Sequence, residues 1–246
     1  MEIIVCIKRV PATDSKIKVG ADGRSIDPAG VEFVMNPYDE YAVEQGIQLK
    51  EKAGAGNVTV LTLGGADAQK ELRQCLAMGA DKAVLLDDGG KPNDAFSTAK
   101  IVAAWIKSVP HDLVLCGRQA VDFDDSQFPA RVATLLGLAC TTEVAALALD
   151  GKVFRAERDI EGGREVVSCP LPCVISCSKG LNEPRSPSLK GIMAAKKKPL
   201  DTVAASAVDA ALEVVSLALP PERPPGKLLA GVAELVAALR SEAKVI

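Results

Sequence analysis

The 246-residue sequence holds a single histidine, His111, with no Ser or Cys motif beside it to serve. That shortage argues against hydrolytic triads and histidine-rich metal sites. No apolar run approaches the roughly 20 residues that a membrane-spanning helix needs, so no membrane insertion is expected. An excess of positive charge is also missing: 29 Lys and Arg stand against 32 Asp and Glu, a net charge of -3. Such a balance does not suit a protein built to coat nucleic acid. Neither G-x-x-x-x-G-K-[ST] nor a Ser-Gly-Gly-x-Asp-Ser turn follows the first apolar run, which ends in Lys8-Arg9-Val10-Pro11, so the usual signatures of ATP-using enzymes are absent. Met1 to Val10 places Glu2 and Lys8 around a short apolar run without a small-residue cleavage site. It does not read as a signal peptide, and a soluble intracellular chain is the expectation.

Apolar residues make up 48% and charged residues 25%, the balance of an ordinary globular protein long enough to bury a substantial core. Seven cysteines, an odd number, do not suggest a disulfide framework. Cys169, Cys173 and Cys177 invite a metal reading. However, Val167, Cys169, Leu171, Cys173, Ile175 and Cys177 alternate at period two, which places the three thiols on one apolar strand face. Same-face neighbours on a strand lie roughly 6.5–7 Å apart, and these thiols are two such steps apart, too far for one zinc ion. They read as small buried hydrophobes.

The first two-thirds of the chain alternates β-branched runs with helix-period segments. Glu2 to Lys8, Asn57 to Leu63, Ala83 to Asp87 and Asp112 to Gly117 read as strands; Pro37 to Ala53, Ala66 to Met78, Asp94 to Lys107 and Gln127 to Leu136 read as helices. This alternation predicts right-handed βαβ units in an α/β fold, a doubly wound open parallel sheet of the adenine-nucleotide-binding type. Gly20 to Gly23 marks a small hairpin before the first helix. After Gly137, Val144 to Leu149, Lys152 to Arg158 and Glu165 to Ser178 read as strands joined by glycine turns, an added β-hairpin region. Pro170 and Pro172 place the last run at an edge or a bend. The expected organisation is an α/β nucleotide-binding domain over 1–199 and a C-terminal arm over 200–246. That arm contains Pro220-Pro221, Pro224-Pro225 and an amphipathic helix from Leu228 to Leu239.

In an open α/β sheet, ligands bind beyond the carboxyl ends of the strands. Three loops fall there. The first runs from Cys6 to Pro11 and continues through Asn36-Pro37-Tyr38-Asp39, where Asn36 suits an N-cap and Pro37 the first helical turn. Leu63-Gly64-Gly65-Ala66-Asp67 is the second, a glycine turn opening a helix whose N–H groups suit an anion. The third, Gly117 to Phe128, has twelve residues against the usual two to six for such a connection. Two classes of function fit these features: an enzyme that activates substrates with ATP, and a non-catalytic nucleotide-binding subunit. The missing phosphate motifs and the absence of an acid–base or nucleophile pair favour the second.

Ala156-Glu157-Arg158-Asp159-Ile160-Glu161-Gly162-Gly163-Arg164-Glu165-Val166-Val167, followed by Pro172-Cys173-Val174-Ile175-Ser176, is similar to the signature of the electron transfer flavoprotein β subunits. Val5 to Val10, Asn36-Pro37-Tyr38, Leu76 to Asp81, Leu181 to Arg185 and Ala194 to Lys198 also resemble that family, in the same order along essentially the whole chain. The resemblance implies a heterodimer with an α subunit that carries most contacts to one redox-active FAD. This subunit would add a structural AMP and no catalytic residues of its own. Electrons would pass from acyl-CoA dehydrogenases and related enzymes, as in fatty acid β-oxidation, towards a membrane quinone oxidoreductase, in a bacterial cytoplasm ahead of a mitochondrial matrix. A related group carries a second FAD in place of AMP and bifurcates electrons.

Carried over by position, the AMP site uses Cys6, Asn36, Pro37, Tyr38, Asp39, Leu63, Gly117, Arg118, Gln119, Ala120, Val121, Asp122, Phe123, Asp124, Asp125, Ser126, Gln127 and Phe128. Adenine is expected near Cys6 and Leu63, with phosphate at the Ser126 helix start. Pro129 stands where the family commonly has Gly, which leaves the phosphate to the backbone of Ser126, Gln127 and Phe128. The segment from Asn182 to Met193, with prolines at 184 and 187, resembles the family's recognition loop, and its Leu189 is the residue expected to enter a pocket on the dehydrogenase.

Overall fold

The computed structural model describes residues 1–246 apart from Pro92 and Pro224; the expected Pro224-Pro225 pair therefore lies partly outside the described residues. In chain order the strands are β1 (Glu2–Cys6), β2 (Arg9–Pro11), β3 (Phe33–Met35), β4 (Asn57–Gly64), β5 (Lys82–Asp87) and β6 (Leu113–Gly117). They continue with β7 (Ala139–Asp150), β8 (Val153–Ile160), β9 (Gly163–Pro170), β10 (Cys173–Cys177) and β11 (Leu200–Ala204). The helices are α1 (Pro37–Ala53), α2 (Gln69–Met78), α3 (Ala95–Lys107), α4 (Phe128–Leu136), α5 (Leu189–Ala195) and α6 (Val232–Ala238).

Nine strands form one sheet in the order β11-β5-β4-β1-β6-β10-β7-β8-β9, and β2 pairs with β3 in a small antiparallel sheet of its own. From β11 to β7 every pairing is parallel; β8 and β9 fold back antiparallel. The central strands are apolar without interruption because both faces are covered. Alternate residues of β1 enter different layers. Ile3 and Val5 join the core shared with Val43 and Ile47 of α1 and Leu72 and Leu76 of α2. Ile4 and Cys6 join the core shared with Ile101 and Ile106 of α3 and Val132 of α4. Each such aliphatic side chain taken out of water stabilises the fold by about 1.5–3 kcal/mol.

Helix starts follow the local chemistry. Pro37 opens α1, Asp39 and Glu40 sit in its first turn, and Lys50 and Lys52 sit in its last, matching the helix dipole at both ends. Asp94 caps α3 through a reciprocal pair of hydrogen bonds with Ser97, the capping-box arrangement. The helix expected from Ala66 begins as a single tight turn over Ala66–Ala68 before α2.

Two expectations need correction. The run from Glu165 to Ser178 is not one strand. Pro170 ends β9, Pro172 stands before β10, and neither has an N–H for a ladder. Beyond them β10 inserts between β6 and β7, parallel to both. As a result Cys169 and Cys173 are not two steps apart on one strand: Cys169 lies in β9 and Cys173 in β10. Both are buried with Cys177 in the core, and among the described residues no three metal-ligating side chains are grouped to hold an ion. The helix expected from Leu228 starts only at Val232, so Leu228 precedes it.

β11, which falls in the segment read as an arm, lies along β5 at the edge of the main sheet, and Ala205 and Val208 pack against the α3–α4 core. By compactness the chain divides into Met1–Ile17 with Pro28–Val214, and a smaller unit of Lys18–Asp27 with Val215–Ile246. Inside the smaller unit, Val19 bridges Ile26 as the expected hairpin, and the Leu217 N–H donates to the Gly23 carbonyl at 2.8 Å. No helix among the described residues is long and apolar enough to cross a membrane.

Candidate functional site

The carboxyl ends of β1, β4 and β6 are neighbours: Cys6 is level with Leu61 on one side and Cys116 on the other. Loops leaving these three strands therefore start side by side. Asn36 was expected to cap α1. Its side chain does not cap; its Nδ2 donates to the Gln119 carbonyl at 2.8 Å, and its Oδ1 accepts from the Val121 N–H at 3.2 Å. The first loop is thereby tied to the third across more than eighty positions of sequence.

Asp39 completes the tie. Its Oδ2 accepts from the Lys8 N–H at 2.7 Å, and its Oδ1 accepts from Asn36 Nδ2 at 3.0 Å and from the Gly117 N–H at 3.1 Å. Burial raises the pKa of this carboxyl to about 7, against the opposing pull of those three donors and the Lys8 charge. Gly117 has to be glycine here, since a Cβ would stand 2.8 Å from the Tyr38 carbonyl carbon and 2.9 Å from the Asp39 nitrogen.

The third loop is also braced internally. Gln119 Nε2 donates to Asp124 Oδ1 at 2.7 Å, while its Oε1 accepts from Ser126 Oγ at 3.0 Å and from Arg118 Nε at 3.3 Å. The Arg118 N–H donates to the Cys177 carbonyl at 2.9 Å, and Ala120 O accepts from Phe123 N and Asp124 N. Lys8 crosses over the loop, with its Nζ 2.6 Å from Asp122 Oδ2 and 4.9 Å from the Phe123 ring centre. The Phe123 ring itself is 70% exposed. Asp124 and Ser126 adopt φ of 50° and 53°, a left-handed conformation that costs a non-glycine residue on the order of 1–3 kcal/mol.

That backbone shape frees donors. Gln127 N reaches Asp125 Oδ1 only at 3.4 Å, and the N–H groups of Asp125, Ser126 and Phe128 find no acceptor among the described residues. Successive free N–H groups at a helix start form an anion-binding concavity. Pro129 occupies the second position of α4 and is buried there, a place where its missing N–H removes no helix bond. Beside this start, Cys6, half-buried Leu63 and half-buried Phe128 belong to the same apolar layer, which suits a flat heterocycle. Cys116, absent from the sequence-derived set, underlies the same edge. A hydrogen bond with Cys6, then burial, raises its thiol pKa well above the ordinary value. Lys8 falls in the first expected loop but not among the residues carried over to the AMP site; its place directly after β1 is the signal that marks it.

Leu189 lies apart from this cluster. Residues 182–188 are loop, but Leu189 is the first residue of α5 rather than part of a continuous loop. Leu189, Ile192 and Met193 are 83%, 44% and 72% exposed, so α5 presents an apolar patch. Its base is fixed to α1. Arg185 holds Glu44 through Nε at 2.8 Å and Nη2 at 3.0 Å, and Glu51 through Nη1 at 2.8 Å and Nη2 at 3.0 Å. Asn182 Nδ2 donates to the Tyr41 carbonyl at 3.0 Å.

Comparison with known proteins bears on the family of the chain. Residues 24–208 match a family model described as the electron transfer flavoprotein domain. Over the full length of both chains, the sequence is 43% identical to the electron transfer flavoprotein subunit beta of Bacillus subtilis (strain 168) and 38% identical to that of Bradyrhizobium diazoefficiens. It is 39% identical to a caffeyl-CoA reductase-Etf complex subunit of Acetobacterium woodii, over 81% of this chain and 77% of that one.

Proposed function

The chain belongs to the electron transfer flavoprotein family, among its β subunits, and from that premise we propose that it is the AMP-holding half of a heterodimeric electron carrier. Three features support AMP at the carboxyl edge: the tie between the first and third loops, the apolar layer at Cys6 and Leu63, and the free N–H groups around Ser126. The last of these carries the reading: Asp125 is exposed and Ser126 and Phe128 are half-buried, so their N–H groups are open to an incoming anion, and successive free donors at a helix start suit one. In this assignment Cys6, Leu63 and Phe128 flank the adenine, the 125–128 backbone holds the phosphate, and Asn36 and Asp39 keep the two loops in register. Arg118, Gln119 and Asp124 shape the turn rather than grip the ligand.

FAD, bound mainly by the α subunit, supplies the one-electron chemistry of the dimer. This chain contributes no acid, base or nucleophile to it; its residues position, exclude water and dock. Leu189, at the head of α5, is the anchor that enters a pocket on acyl-CoA dehydrogenases. A buried leucine contributes roughly 1.5–3 kcal/mol, enough to hold a transient partner and weak enough to release it before the dimer passes its electron to a quinone oxidoreductase. The bacterial sources of the 43% and 38% identical relatives favour a bacterial cytoplasm as the compartment.

The test is to purify the chain with its α partner, denature the complex, and identify and count the released nucleotides. One AMP and one FAD per heterodimer is expected. Two FAD and no AMP would replace this reading with an electron-bifurcating subunit. ATP hydrolysis by the purified chain, with no AMP released, would point to an enzyme of the same fold.

A further inference from the structure

Arg185 joins a docking segment to a helix on the opposite side of the sequence, and it does so with unusual completeness. Its guanidinium makes two parallel hydrogen bonds to Glu44 and two to Glu51, and its backbone N–H donates to Glu44 Oε2 at 3.2 Å. Glu44 is 2% exposed. Burial alone would raise the pKa of its carboxyl, but the hydrogen bonds from Arg185, with a further one from Gln48, outweigh burial and hold it below the ordinary value. Planar bidentate pairs of this kind fix direction as well as distance.

The other end of the segment is fixed independently. Ser188 Oγ accepts from the Gly191 N–H at 3.0 Å and starts α5. A Cβ at Gly191 would strike the Ala77 carbonyl, so α5 lies directly against α2. Arg73 Nη1 donates to the carbonyls of Ala195 at 2.7 Å and Lys198 at 2.8 Å, and Lys198 Nζ donates to those of Leu76 and Ala80 at the end of α2. Between the two anchorages run only Ser186, Pro187 and Ser188, then exposed Leu189. Ile192 and Met193 follow at helical spacings of three and four, which places all three apolar side chains on neighbouring positions of α5.

We infer that Arg185 is the positioning residue of the docking surface: clamped by Glu44 and Glu51, it fixes the entry into α5 so that Leu189 is presented in one direction before any partner arrives. The inference rests on the docking role proposed for Leu189. A side chain ordered in advance loses less freedom on binding, so the clamp lowers the entropic cost of each encounter. Among the described residues no hydrogen bond joins the clamp to the 118–128 loop, and its loss should therefore appear in recognition and not in nucleotide content.

The test uses the intact heterodimer with its flavin and an acyl-CoA dehydrogenase that reduces the wild-type dimer, followed by stopped-flow flavin reduction over a range of dehydrogenase concentrations. Arg185→Lys keeps the charge and loses the fork. Arg185→Ala combined with Glu44→Gln removes the guanidinium without stranding a buried carboxylate. Each is expected to raise the half-saturating dehydrogenase concentration about five- to tenfold, with the limiting rate and the AMP and FAD content unchanged. Adding Leu189→Ala to the double variant should then cost less than Leu189→Ala costs in the wild-type dimer, because both changes act on one contact.

A fall in the limiting rate at unchanged half-saturation would overturn the inference, as would loss of nucleotide. Full additivity with Leu189→Ala would also overturn it. If Leu189→Ala alone leaves the reduction kinetics unchanged, the docking role itself fails; if Leu189→Ala is slow but the Arg185 variants are normal, only the positioning role fails.

Discussion

The Gly117 N–H donates to Asp39 Oδ1 at 3.1 Å, a contact between the end of β6 and the first turn of α1 that spans 78 positions of sequence. It brings two loops together at one sheet edge, and it leaves no room for a side chain at 117. In Gly117→Ala the new methyl would meet the backbone of Tyr38 and Asp39 at under 3 Å. Backbone cannot swing aside as a side chain can, so one loop must shift. Overpacking of this kind costs about 1–3 kcal/mol. The expected outcome is a melting temperature lower by several degrees and AMP content well below one per heterodimer. A variant that melts normally with full AMP would show that the two loops need not touch.

Asp39 also gives the fold a dependence on pH. Its folded pKa of about 7 lies well above the ordinary carboxyl value, with burial as the leading cause. The native state therefore binds this proton more tightly than the unfolded chain does. The resulting stability is fully present below the unfolded pKa and is lost as pH rises through about 7. Between pH 5 and pH 8 the loss from this one group is roughly 2–3 kcal/mol. Asp39→Asn cannot ionise and removes that dependence. Urea melts of both proteins at the two pH values should show wild type losing more stability than the variant on going to pH 8. Parallel losses would mean that the buried carboxyl titrates elsewhere.

Much of this was legible in the residues. The βα alternation, the glycine turns after Asp150 and Glu161, and the length of the Gly117–Phe128 loop each followed from local composition, and each fell in its expected place. The position of β10 did not. A run from Glu165 to Ser178 with unbroken apolar alternation resembles one strand, and only a long-range pairing with β6 and β7 distinguishes two. Asn36 misled for a related reason. Its local position fits a cap, but its side chain satisfies Gln119 and Val121 in a distant loop, and spacing cannot reveal which of two acceptable partners a short amide will choose. The Arg185 clamp was hidden in the same way, since Glu44 and Glu51 look like ordinary exposed positions of a charged helix until α1 is packed.

Ser126 provides the sharpest test of the phosphate assignment. Its φ is 53°, whereas proline is held near −65° and has no N–H. Ser126→Pro must both reshape the turn and delete one donor, so AMP content should fall at least tenfold. Ser126→Gly accepts the left-handed conformation freely and keeps the N–H, losing only the hydroxyl bond to Gln119. It should retain AMP close to the wild-type level. Wild-type AMP in both variants would remove the 125–128 backbone from the site, and equal loss in both would assign the contact to the hydroxyl.

The smaller unit makes a last, separate prediction. Its helix α6 buries none of its own residues; Val232 and Leu235 are 78% and 46% exposed, as is Leu228 ahead of it at 99%. Exposed apolar side chains are suited to a partner surface, and the α subunit is the partner that a β subunit of this family has. Covering two such side chains contributes about 3–6 kcal/mol, which corresponds to at least about a hundredfold in dissociation constant. Truncation after Val214 should therefore weaken heterodimer formation by that factor, measured by sedimentation or surface binding with purified α subunit. Because the main cores remain whole, the truncated chain should still melt cooperatively. Full affinity after truncation would assign the exposed stripe to some other surface and remove the arm from assembly.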